Sequence, residues 1–117
     1  MPPDAPTTTL FRPTGPEELR LVEASGWRRW PPRLADQPIF YPVTNEAYAA
    51  EIASKWNARD GKPGFVTRFE VRTVFMDRYP IQTVGSRTHT EWWVPAEELE
   101  ALNDNIVGLI EVVRTFP

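Results

Sequence analysis

Asn45-Glu46-Ala47-Tyr48-Ala49-Ala50-Glu51-Ile52-Ala53-Ser54-Lys55-Trp56, the turn Asp60-Gly61-Lys62-Pro63-Gly64, and Phe65-Val66-Thr67-Arg68-Phe69-Glu70-Val71-Arg72 together decide the fold. In the first segment Tyr48, Ile52 and Trp56 recur every four residues beside Ala49 and Ala53. That apolar stripe has the period of a helix, predicted over about 45–58 and facing a core, with Thr44 or Asn45 able to cap it. From the last segment onward Phe65, Phe69, Val71 and Phe75 alternate with Arg68, Glu70 and Arg72 at period two, which predicts a long, half-exposed strand. A helix followed by such a strand calls for a sheet with helices packed on it.

Working outward, Thr8-Thr9-Leu10-Phe11-Arg12 has the β-branched and aromatic content of a strand, after a proline-rich tail over residues 1–7 expected to be mobile. Thr14-Gly15-Pro16-Glu17 has capping-box spacing and a proline in the first turn, so a helix follows and ends at Gly26. Ile39-Phe40-Tyr41 is a short strand closed by Pro42. Met76-Asp77-Arg78-Tyr79-Pro80 is one helical turn, Ile81–Val84 and Thr90–Val94 are strands around a polar loop, and Pro95–Glu100 opens a short acidic helix. Ile106–Phe116 is an apolar strand, branched enough at Ile110, Val112 and Val113 to sit inside a sheet. Helices fall early and strands late. The expectation is an α+β fold in which residues 8–117 form a single compact domain around a split antiparallel or mixed sheet with two main helices.

Composition narrows the function classes. At 117 residues, 41% hydrophobic and 25% charged, the chain is one ordinary globular domain. A net charge of −3 gives no global positive field, so neither DNA nor a membrane surface is an expected partner. No cysteine and one histidine exclude thiolate chemistry and the common zinc sites. Without an apolar span or a leader-like N-terminus, the expected address is cytoplasmic. There is no glycine-rich phosphate loop, HExxH, calcium loop or GxSxG elbow.

What remains is a set of polar and aromatic residues at strand edges. Arg12 ends the first strand, where it can pair on the surface or project into a cleft. Glu91 opens a strand before Trp92-Trp93, as a solvated residue or as one wall of a pocket. Tyr41 reads as a half-buried aromatic whose hydroxyl finds a partner, and His89 as a satisfied loop histidine. The loop Trp27-Arg28-Arg29-Trp30-Pro31-Pro32-Arg33 can stack a ring and grip phosphates, or plug a small core.

The strings Thr9-Leu10-Phe11-Arg12-Pro13, Gln37-Pro38-Ile39-Phe40-Tyr41-Pro42-Val43-Thr44-Asn45, Phe65-Val66-Thr67-Arg68-Phe69-Glu70-Val71 and His89-Thr90-Glu91-Trp92-Trp93-Val94-Pro95, in this order, resemble the small bacterial proteins labelled ADP-ribosylation/crystallin. Their element order is similar to the minimal ADP-ribosyltransferase fold. The resemblance, over about residues 8–116, implies a site with a cation on the first strand, a hydroxyl region on the second and a late glutamate. Arg12, Tyr41 with Thr44, and Glu91 stand at those positions. The Ser-Thr-Ser segment that the family places on the second strand is missing, and His89 stands where many protein-modifying members have glutamine or glutamate.

The resemblance implies NAD, or another ADP-ribose nucleotide, as ligand and substrate. Glu91, Arg12 and Tyr41 would be its catalytic residues, and Arg12, Tyr41, Thr44, Trp30 and His89 would contact the nucleotide, with a protein among the acceptors. Two other readings stand beside it. One is a non-catalytic partner-binding module of the same fold, using Trp27, Trp30 and Trp92 as its contact surface. The other is a small RNA or nucleotide binder built on Trp27–Arg33, limited to the N-terminal part because residues 88–117 hold one basic and six acidic residues.

Overall fold

The computed structural model describes residues 5–117, and the alternating segment forms its central strand. β1 (Thr7–Thr14) and β7 (Ile106–Phe116) flank β3 (Gly64–Arg72), each antiparallel to it. Between them in the chain come α1 (Pro16–Ala24), β2 (Ile39–Phe40), α2 (Glu46–Ile52) with a π turn at Ala53–Asn57, and α3 (Thr73–Met76). β4 (Ile81–Thr83), β5 (Thr90–Trp92), β6 (Val94–Pro95), a tight turn at Ala96–Glu98 and α4 (Leu99–Asp104) complete the order. The result is a compact, single-domain α+β fold with antiparallel sheets and few helices. No described helix is long and apolar enough to cross a membrane.

A second antiparallel unit is built from residues 39–44 and 90–95. Ile39 faces Pro95, Phe40 faces Val94 and Val43 faces Glu91, all in one register. β4 extends this unit through Ile81↔Trp92 to Thr83↔Thr90. One residue joins it to the three-stranded unit: Phe11 N–H donates to Val43 O at 3.0 Å and Val43 N–H to Phe11 O at 2.7 Å. Pro13 faces the same way as Phe11, two residues on, and has no N–H to offer. The ladder stops there, and the two units diverge into a cleft.

Alternation then sorts the side chains onto two faces. Leu10, Phe69, Val71 and Ile110 face a core completed by Trp30, Phe40, Val22 of α1, and Leu99 and Leu102 of α4. Val43 and Val66 face the other core, under Ala49, Ala50 and Ala53. Small residues let α2 lie close to the sheet. Gly64 shows how close: a Cβ there would stand 2.4 Å from Ala53 O.

Several expectations need correction. Trp56 is 64% exposed, because the π turn rotates the helix after Ile52 and turns the stripe's last member to solvent. Phe75 belongs to α3 and not to the strand, since the ladder closes where Arg72 N–H donates to Asn105 O and Thr73 N–H to Pro6 O. Thr14 makes no capping bond; Gly15 is the N-cap of α1, and Thr14 Oγ1 is buried without a partner. Asn45 caps α2, its Oδ1 accepting from Tyr48 N–H at 2.7 Å.

β7 is an edge strand and not an interior one, because β1 occupies the other side of β3. Val107, Leu109 and Val112 are therefore exposed, and Gly108, at φ +79°, sits where the register with β3 shifts. The expected tail is shorter, since Thr7 already pairs with Arg72; residues 1–4 lie outside the described residues.

Candidate functional site

A cleft of about 370 Å³ opens where the sheet splits, within the range of small-molecule sites. Arg12, Arg33, Tyr41, Val43, Asn57 and Glu91 are among its walls. Strand alternation sends Arg12 to the face of Leu10 and Phe40, whereas Glu91 shares the opposite face with Val43. Both residues line one cleft because the seam is open.

At the anionic end, Glu91 is 8% exposed and held by neutral donors. Tyr48 Oη–H donates to its Oε1 at 2.9 Å and Trp93 Nε1–H to its Oε2 at 2.8 Å. Each oxygen keeps a further lone pair for a ligand hydroxyl. Burial, then the bond to Glu91, pushes the Tyr48 hydroxyl up to about 12, so it remains a donor throughout the neutral range. The His89 ring stacks on Tyr48 with centroids 4.4 Å apart, and its Nε2 lies 3.0 Å from Glu51 Oε2. Lys55, and then His89, hold the Glu51 carboxyl below its usual range.

At the cationic end, Arg12 grips Glu18 with two bonds, Nε–H to Oε2 at 2.7 Å and Nη2–H to Oε1 at 2.9 Å. Its guanidinium lies over the Phe40 ring at 4.4 Å, and Nη1–H reaches the Tyr41 carbonyl at 3.4 Å. Arg33 Nη1 stands 3.6 Å from Glu18 Oε1, leaving Arg33 Nε buried without a partner. Burial, then the neighbouring Arg12, lowers the Arg33 pKa. Two cations against one carboxylate leave this end with one net positive charge.

Of the residues named from sequence, Arg12, Tyr41 and Glu91 line one cleft. Thr44 does not; its hydroxyl bonds the Thr90 hydroxyl and its N–H donates to Thr90 O at 3.1 Å, latching the paired strands. Trp30 is 1% exposed between Phe40 and Phe69, so it is a core plug with no ring face for a nucleotide. His89 braces Tyr48 from outside the cleft.

With Trp30 and Trp92 buried and Trp27 half-buried against the same core, neither the stacking strip nor the aromatic contact surface proposed for that loop is exposed. Glu18, Tyr48, Trp93 and Asn57 were missed. One signal was available for Trp93: in a Glu91-Trp92-Trp93 strand, alternation puts one tryptophan beside the glutamate. Comparison with family models, curated proteins and solved structures finds no match to this chain.

Proposed function

We propose that the cleft binds NAD or a related ADP-ribose nucleotide, in an ADP-ribosyltransferase-like fold, and cleaves the nicotinamide–ribose bond by transfer or hydrolysis. The observation that carries this reading is the pairing, across one 370 Å³ cleft, of a net cationic end with a glutamate shielded from solvent. A phosphate suits Arg12 and Arg33. A ribose hydroxyl suits the remaining lone pairs of Glu91, and Tyr41 offers a ring at the mouth for the nicotinamide.

The chemistry follows from charge. When the C1′–N bond breaks, its electron pair leaves with the nicotinamide nitrogen and C1′ gains positive character, as in glycoside hydrolysis. Glu91, itself shielded from solvent and hydrogen-bonded to a ribose hydroxyl, stabilises that charge. Water or an acceptor hydroxyl then bonds to C1′ and gives its proton to solvent. Tyr48 and Trp93 hold the carboxylate in place without neutralising it.

Incubation with NAD, followed by nicotinamide release and by the shift in melting temperature, tests the reading. Wild type releases nicotinamide, and Arg12→Ala weakens the NAD-induced shift. A shift without release assigns the cleft to binding alone. Neither release nor shift overturns the proposal.

A further inference from the structure

A second hollow, of about 410 Å³, adjoins the first and shares Arg33 and Asn57 with it as a partition. Its character differs. Leu21, Pro31, Pro32 and Leu34 supply apolar walls, and both leucines are more than half exposed. On the partition, Asn57 Oδ1 is buried without a partner among the described residues, as is Arg33 Nε. Buried polar atoms without partners are uncommon in folded proteins and point to a group that should meet them. The rim carries Glu17, paired with Lys62 Nζ at 3.1 Å, and Glu18, paired with Arg12, so its carboxylates are already matched by cations.

We propose that this hollow is an adenine compartment. It rests on the nucleotide reading of the first cleft and extends it: the adenosine half enters the second hollow, and the diphosphate crosses the partition at Arg33. A purine is apolar on both faces and polar only at its edge, which matches leucine and proline walls closing on an asparagine. Adenine offers an amino donor beside a ring-nitrogen acceptor, the pattern that an asparagine amide meets with its oxygen and its nitrogen at once. The base carries no charge, which suits a rim whose carboxylates are already paired.

Gly15 provides a plug. It sits at φ −92°, ordinary for any residue, and a Cβ there meets only Glu17 Oε2 at 3.9 Å and Asn57 Nδ2 at 4.0 Å, so a larger side chain fills the hollow without backbone strain.

Calorimetric titration of the full chain with AMP, nicotinamide mononucleotide and NAD tests the proposal. Wild type binds AMP; Gly15→Leu weakens AMP and NAD by about tenfold or more and leaves nicotinamide mononucleotide within about twofold, and Asn57→Leu, on the wall shared with the first cleft, weakens AMP and NAD by a similar factor. Leu34→Glu, at an exposed position where folding is not at risk, has the same sense. AMP binding that these changes abolish, in a protein that does not bind nicotinamide mononucleotide or cleave NAD, keeps the adenine compartment and overturns the reading of the first cleft. Absence of AMP binding to wild type, or AMP and NAD affinities unchanged in all three variants, overturns the compartment.

Discussion

Arg12 and Glu91 are both buried charges on walls of the same cleft, yet they are held in opposite ways. Arg12 is matched by an opposite charge, Glu18, and stacked on Phe40. Glu91 is matched by two neutral donors, Tyr48 and Trp93. An ion pair offsets desolvation by cancelling charge; neutral donors offset it while leaving the charge in place to act on a ligand. On the proposed reading, that difference makes the Glu91 end the one suited to chemistry and leaves the Arg12 end an ion pair beside a phosphate position.

The largest expected effect is on turnover. Glu91→Gln keeps the shape, and its amide can accept from Trp93 while donating to the Tyr48 oxygen, so the variant loses the charge and little else. Nicotinamide release should fall by about 100-fold or more with the urea midpoint nearly unchanged. A variant that releases at the wild-type rate, or one that unfolds, breaks the contrast.

Next is the cationic end. Glu18→Ala leaves Arg12 and Arg33 facing each other and should cost about 2 kcal/mol in urea unfolding. That is below the figure for a fully enclosed pair, since the Glu18 side chain keeps 23% exposure. Arg12→Met with Glu18→Leu should recover most of that loss while weakening NAD binding. Recovery of both would place the ligand elsewhere.

Smaller effects sharpen the anionic end. Tyr48→Phe removes one of the two donors and should cost about 1 kcal/mol in stability. Alkaline pH should act in the same direction. The folded-state pKa of Tyr48, up to about 12, lies above the ordinary value of 10.0, so the unfolded chain releases the proton first. Stability from this group is complete below pH 10 and declines as pH rises from 10 to 12. Comparison of urea midpoints across that window, in wild type and Tyr48→Phe, should show a shallower decline in the variant.

Element by element, the fold was largely legible because its signals are local. The alternation over 65–72, the Asn45 cap and the proline-bounded strand at Ile39-Phe40 each depend on residues a few positions apart. The misreadings came from non-local causes. Trp56 keeps its place in the stripe by spacing, and only the π turn packed beside Gly64 turns it outward. β7 is rich enough in branched residues for an interior strand, but topology leaves it at the edge.

The site divides in the same way. Strand edges offered Arg12, Tyr41 and Glu91 as candidates, but it was the family resemblance, and not their spacing, that grouped them into one site. That Arg12 and Glu91 leave opposite faces and line one cleft through a split was invisible, since it follows from one bridge at Val43 and the missing N–H of Pro13. Glu18 read as an acidic first-turn residue of a helix and Asn57 as the end of one, with nothing in their neighbours to mark them as cleft walls.

The most direct test of the proposed nucleotide site is the indole N–H resonance of Trp93, assigned by its loss in Trp93→Phe and followed while NAD is titrated into the protein. Its N–H is bonded to Glu91, so a nucleotide at that end of the cleft must change its surroundings. The account predicts a saturable shift of the Trp93 signal while that of exposed Trp56 stays in place. A Trp93 signal that does not move at saturating NAD contradicts it.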